Sequence, residues 1–317
     1  MEPLTPAQEQ VLELLRATDR PRPEVDPSLR VELRRRLESA LAPAAALLTA
    51  PAFVSKAALG RVLACEAHHV AEAAAPFEWT IATARGTVAH KAVQLTIGRV
   101  DHRPPLAVVD DALERLANDP GERIAGFLLG LDEGDRAELR TDVHGFLATF
   151  LELWPPLRPA WRPQTESPRR IELCGGMIVL SGRVDLTLGA PRGTVAGRLV
   201  VDLKSGRRQR THADDLRFYA LLDTLRVGVP PFALVGYYLD EGEFTVEEVV
   251  EDTLEVAVRR TVDGATRLAQ LAAGLRSAAV TPGPTCRWCR LRDTCPEAAA
   301  AAAAESTDSG EPVLDEG

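Results

Sequence analysis

Two stretches of this chain carry polar groups where chemistry could be done. Gly182-Arg183-Val184-Asp185 places a carboxylate on an apolar run, and Val200-Val201-Asp202-Leu203-Lys204-Ser205-Gly206 ends a second run in Asp-x-Lys. Alternation along a strand puts Asp202 and Lys204 on one face and Leu203 on the other. Two carboxylates on neighbouring strand ends, Asp185 and Asp202, can hold a hard cation such as Mg2+ or Mn2+, and the carbonyl of Leu203 can add a backbone oxygen. An ammonium beside such an ion suits the attack of water on a phosphodiester. Taken singly, each aspartate reads as a solvent-facing strand end. The combination, with the first acid seventeen residues before the second and a helix after them, is what points to a site.

A second constellation lies near the C-terminus. Cys286-Arg287-Trp288-Cys289 is a Cys-x-x-Cys, and Cys295 follows after five residues. The chain has five cysteines, an odd number better suited to metal binding than to a disulfide framework. Cys174, at a strand end before Gly175, stands outside the pattern and reads as a buried thiol.

The elements that must position these groups follow from periodicity. Thr5-Pro6-Ala7-Gln8 has the form of a capping box and opens a helix over 6–17. A second helix starts at Asp26-Pro27, and 43–51 reads as a linker. Ser55 caps a helix through about Val70, and another helix opens near Ala84 and runs through Ile97. Residues 104–154 read as further helices. Strands are expected at Gln164 to Cys174, Met177 to Leu188 and Leu199 to Lys204, then an amphipathic helix over Ala213 to Leu225. Strands at Phe232 to Leu239 and Phe244 to Val250 and a long helix from Asp252 to Arg276 complete the chain. No internal repeat and no P-loop motif occur.

Composition bounds the rest. The 317 residues are 45% hydrophobic and 26% charged, ordinary globular material with a formal charge of -9. Six acids and no Lys or Arg follow Cys295, so the body of the chain is nearer neutral and can carry a basic groove beside an acidic pocket. Residues 1–20 lack the apolar segment of a signal peptide, and the most apolar window, Leu41 to Val54, is broken by Pro43 and Pro51. A cytoplasmic protein with no membrane partner is expected. Lys56, Lys91 and Lys204 are the only lysines, which makes the one in Asp-x-Lys more notable, since arginine cannot give up its proton.

The spacing of Asp185, Asp202 and Lys204 resembles the PD-(D/E)XK nuclease superfamily, in its RecB-like, AddB-like branch of iron–sulfur exonucleases. The resemblance covers roughly Ser55 to Cys295. It implies an α/β fold: a restriction-endonuclease-like core, a mixed central sheet flanked by helices, with a helical N-terminal region and a helical insertion. The boundaries it implies are a helical extension at 1–50, a nuclease domain at 51–296 with its insertion at about 104–156, and a disordered acidic tail at 297–317. The helix, three strands, helix, strand order read above agrees with that core.

The family also implies roles. Gly86 to His90 matches a Gly-x-x-x-His signature whose histidine is a metal ligand, and Glu166 lies where the family often carries an acid. Tyr219 matches the tyrosine of Gln-x-x-x-Tyr, whose phenol can donate to phosphate. The glutamine position is Asp215, a departure, since a carboxylate cannot donate as an amide does; it can support Lys204 or a second cation. In the iron–sulfur branch the C-terminal cysteines join one upstream cysteine, here Cys65, to hold a 4Fe-4S cluster. A structural Zn2+ site of four cysteines is the rival. Arg207, Arg208 and Arg210 read either as backbone-phosphate contacts or as a solvated turn. The resemblance therefore implies a metal-dependent deoxyribonuclease, an exonuclease of DNA repair or recombination acting with a helicase partner. A nuclease-fold DNA-binding module with a weakened site is the alternative, and an electron carrier a poor third.

Overall fold

The computed structural model describes residues 3–16, 21–97 and 103–301. The chain forms two compact units, Met1–Leu37 with Glu78–Ile171 and Leu180–Arg259, and Glu38–Phe77 with Glu172–Val179 and Arg260–Gly317. Most of the acidic tail expected at 297–317 lies outside the described residues. In chain order the elements are α1 (Pro6–Arg16), α2 (Leu29–Ala45), β1 (Ala52–Val54), α3 (Lys56–Ala64), α4 (Glu66–Ala74), α5 (Ile81–Thr96), α6 (Pro105–Asn118), α7 (Ala125–Gly130) and α8 (Glu133–Leu153). They continue with β2 (Gln164–Leu173), β3 (Ile178–Gly189), β4 (Arg198–Lys204), α9 (Thr211–Val227), β5 (Ala233–Tyr238), β6 (Glu243–Glu248) and α10 (Glu251–Ala272).

The first unit holds a mixed central sheet flanked by helices, as the sequence implied. Strands run β3-β4-β5-β6, with β2 against β3. The β3–β4 and β5–β6 pairs are antiparallel and β4–β5 is parallel, Asp202 opposite Gly236 and Lys204 opposite Tyr238. Every residue of β5 is buried, as a central strand covered on both faces requires. Leu199, Val201 and Leu203 of β4 share one core with α1, α5, α6, α7 and α8. Alternation turns Val200, Asp202 and Lys204 to the opposite face. There α9 packs: a Cβ on Gly236 would meet Leu216 Cδ1 at 3.6 Å.

Helix α9 differs from the amphipathic helix expected. From Phe218 to Leu225 every residue is buried, including Asp223 and Thr224. Their polar groups are satisfied: Thr224 Oγ1 donates to the Ala220 carbonyl at 2.7 Å, and Asp223 accepts from Arg169 of β2 and Arg198 of β4 at 3.0 and 2.9 Å. An ion triad thus joins two strands and the helix that covers them.

Boundaries differ elsewhere for local reasons. Helix α5 begins at Ile81, three residues earlier than expected, because Thr80 and Thr83 cap it reciprocally. In the second unit the helix expected from Ser55 to Val70 is two helices. Cys65 breaks it with φ -160° and ψ 118°, closing α3 and opening α4. The linker read at 43–51 ends in β1, which pairs the start of β3, Ala52 N donating to Met177 O at 2.9 Å. Helix α10 stops at Ala272, short of Arg276, where Gly274 takes φ +66° and Leu275 N returns to the Gln270 carbonyl.

Candidate metal centre and cysteine cavity

The carboxylates meet where the β3–β4 ladder ends. The last paired residues are Leu186 and Val201; one step beyond, Asp185 Oδ2 accepts the Leu203 backbone N–H at 2.7 Å. A side-chain oxygen here does the work of a strand carbonyl, so Asp185 is fixed to β4 while its Oδ1 faces His90. Asp202, fully buried, lies 2.7 Å from Lys204 Nζ, and the same ammonium donates to Asp215 Oδ2 at 3.2 Å.

Helix α5 brings His90 to this edge. Gly86 stands one turn earlier on the same face, and a Cβ there would lie 3.0 Å from Ser205 Oγ. The glycine lets the helix come down on the end of β4, which is the physical content of the Gly-x-x-x-His spacing. His90 Nε2 then lies 3.0 Å from the Leu203 carbonyl, and Nδ1 lies 3.5 Å from Glu166 Oε1 and 3.6 Å from Asp185 Oδ1. Burial opposes a charged ring, but Asp185, Glu166 and Asp202 outweigh it and push the His90 pKa from 6.5 to about 9.

Glu166 reaches the cluster through unusual backbone. Its φ is +47°, a left-handed conformation within a strand and outside glycine's usual privilege. Such conformations cost about 1–3 kcal/mol and persist where surrounding structure over-determines them, often at functional sites. The sequence carries no sign of it. Arg183, two residues before Asp185, is exposed and lies 3.7 Å from Glu166 Oε2. Strand alternation could have flagged it, since it shares a face with Asp185.

His90, Glu166 and Asp185 each offer a ligand atom within 4.8 Å of the others; no other such trio of His, Cys, Asp or Glu occurs among the described residues. An imidazole and two carboxylates, beside a backbone carbonyl, form a donor set that fits a hard or borderline divalent ion. Of the residues singled out from sequence, the edge gathers His90, Glu166, Asp185, Leu203, Asp202, Lys204 and Asp215. Tyr219 stands one helical turn after Asp215 on α9. It is buried, and its ring lies against Gly182 of β3, where a Cβ would come within 2.7 Å of it.

In the second unit Cys65, Cys286, Cys289 and Cys295 line one cavity. The break between α3 and α4 turns Cys65 toward 279–281. Buried Glu66 holds that segment by accepting from Ala279 N at 3.0 Å, and it is itself held by Arg276 at 2.9 Å. Backbone amides of Thr281 and Gly283 point at the sulfurs of Cys65 and Cys286, at 3.5 and 3.4 Å. No three of the four sulfurs come within 4.8 Å of one another. Four thiols in one cavity, two with amide donors, suit thiolate ligation. Cys174 is outside this cavity and half-buried, with its sulfur 3.6 Å from the Glu38 carbonyl.

A family model described as the PD-(D/E)XK nuclease superfamily matches residues 54–296. The chain belongs to that superfamily. Among solved structures this nuclease-superfamily member is similar to a protein from Eubacterium rectale described as "Putative exonuclease", at 10% identity and a TM-score of 0.46, over 84% of this chain and 90% of that one. It is also similar to SSO0001, at 15% identity and a TM-score of 0.31, over 68% of this chain and 97% of that one. No curated protein matches it. No described helix is long and apolar enough to cross a membrane.

Proposed function

We propose that this superfamily member is a divalent-metal-dependent nuclease that hydrolyses phosphodiester bonds in DNA. The observation that carries the reading is the convergence of His90, Glu166 and Asp185 within 4.8 Å at the strand edge that also holds the Asp202–Lys204 pair. His90, Glu166, Asp185 and the Leu203 carbonyl would hold the ion, with Asp202 behind them. Mg2+ or Mn2+ bound there supplies polarisation of a phosphoryl oxygen and acidification of water.

The chain's own residues do the rest. Asp185 is oriented by the Leu203 N–H, so its Oδ1 keeps one aim, toward His90. Lys204, held by Asp202 and Asp215, presents a fixed ammonium to the charge that develops on phosphorus. As water oxygen bonds to phosphorus and gives up a proton to solvent, the bridging P–O bond breaks and the departing alkoxide takes a proton from solvent, one water being consumed per bond cleaved. The same reading, drawn from the RecB-like resemblance, includes a role in DNA repair or recombination with a helicase partner.

Within the same reading the four cysteines hold a 4Fe-4S cluster. The ligand pattern supports it: a zinc site of four cysteines usually pairs two Cys-x-x-Cys knuckles, and here the upstream half is the single Cys65. A second reading, a DNA-binding module, draws on Asp215, which ties up the ammonium a substrate would need.

End-labelled single- and double-stranded DNA incubated with Mg2+ or Mn2+ separates the two. Degradation by the wild type, absent in Asp202→Ala and Lys204→Ala, supports the nuclease. Binding without degradation supports the module.

A further inference from the structure

A second cavity lies on the far side of Lys204 from His90. Arg208, Gln209, Arg210, Ala213, Tyr238 and Thr245 line it. Its position follows from the sheet: Tyr238 of β5 pairs with Lys204 of β4 in parallel register, so the cavity is one strand, about 4.8 Å, from Lys204. The metal trio does not line it.

The chemistry of the lining is cationic and donor-rich. Arg208 and Arg210 are exposed and make no hydrogen bond or ion pair among the described residues. Four acids of the nearby edge are engaged: Asp202 and Asp215 face Lys204, while Asp214 and Glu247 face Arg217. Tyr238, buried, is aligned by His212, whose Nδ1 lies 3.1 Å from the phenol oxygen. Helix α9 starts here with Arg210 at its N-cap and no side chain capping it, so its first amides and the positive end of its dipole lie beside the two guanidinium groups.

We propose that this cavity is a phosphate subsite for the nucleic-acid strand, distinct from the metal centre and adjacent to it. Two guanidinium groups and the helix terminus take the anionic oxygens of one phosphate and so set the strand's register over Lys204. The inference rests on the nuclease reading for its substrate class, and it is separable from that reading by experiment.

The test uses the wild type, Arg208→Ala/Arg210→Ala and Arg207→Ala, with a 3′-fluorescent thymidine oligonucleotide in EDTA, its affinity followed over a range of salt. Arg207 shares the loop without lining the cavity, and all three proteins should melt alike. The double variant is expected to bind more weakly, with a salt slope shallower by about 0.7, the share of one phosphate that the protein no longer neutralises. Arg207→Ala should leave the slope near the wild-type value. Comparing 5′-phosphorylated with 5′-hydroxyl probes tells the source: a weakening confined to the first assigns the subsite to a strand end, and a weakening on both assigns it to an internal phosphate. An unchanged slope in the double variant, an equal fall in Arg207→Ala, or no wild-type binding at low salt overturns the proposal. Cleavage by the wild type in Mn2+ is scored separately. Cleavage with no binding effect removes the subsite alone, and a binding effect with no cleavage removes the nuclease reading alone.

Discussion

Asp185 holds Leu203 across the end of the β3–β4 ladder, its Oδ2 accepting the Leu203 amide at 2.7 Å while Oδ1 lies 3.6 Å from His90 Nδ1. One carboxylate therefore serves the strand pair with one oxygen and the candidate metal centre with the other. Asp185→Asn keeps an acceptor for the amide and removes the charge; Asp185→Ala removes both. Both variants should lose divalent binding and cleavage. Only Asp185→Ala should also lose stability, by about 1–3 kcal/mol for a buried donor left unpaired. Thermal melts with and without Mn2+ check the difference, and equal melts for the two variants would sink the argument.

Lys204 is a point charge between two carboxylates, 2.7 Å from Asp202 and 3.2 Å from Asp215. Arginine keeps the charge but needs a planar, longer reach. Lys204→Arg should therefore fail to restore cleavage, with both it and Lys204→Ala down by about 10²–10⁴-fold. Single-turnover rates on labelled DNA measure this. Full activity in Lys204→Arg would mean that the charge alone matters.

The acids around His90 link protonation to folding in divalent-free buffer. The folded pKa, about 9, lies above the ordinary 6.5, so the stabilisation is fully present below pH 6.5 and is lost as pH rises through about 9. Denaturant midpoints of the wild type and His90→Ala should thus differ most in mild acid and converge near pH 9 and above. A gap that widens with pH would show that the ring is held neutral.

How much of this was legible in the sequence depended on the range of the interaction. Asp-x-Lys on a strand displays its own geometry, because alternation fixes which side chains share a face. Gly86 and His90 were legible only through the family resemblance, since a lone histidine on a helix displays no role of its own. The φ of Glu166 was hidden because left-handed backbone is usually signalled by glycine. The break at Cys65 was hidden because apolar residues on both sides keep helical spacing. Asp223 does carry a readable signal: an acid inside Phe218-Tyr219-Ala220-Leu221-Leu222-Asp223 needs a buried partner.

Those partners, Arg169 and Arg198, make Asp223 a structural test separate from the chemistry. Asp223→Ala leaves two guanidinium groups with little access to water and should cost about 3–5 kcal/mol, with Mn2+ affinity of the folded protein unchanged. Chemical denaturation and Mn2+ titration read the two quantities independently. A large drop in affinity with unaltered stability would assign Asp223 to the metal centre instead.

The cysteine cavity separates its own four members from the fifth cysteine. Cys65→Ala should abolish a brown absorbance near ~400 nm, the region expected of thiolate-ligated iron–sulfur clusters, and Cys174→Ala should retain it. The stability effect should follow the colour, because a cluster bound only by the folded chain adds its binding free energy to folding. Cys65 is the informative ligand, since it is contributed by the break between α3 and α4, far in sequence from the other three. If purified anaerobically the protein were colourless and held one zinc per chain, the iron–sulfur assignment would fall.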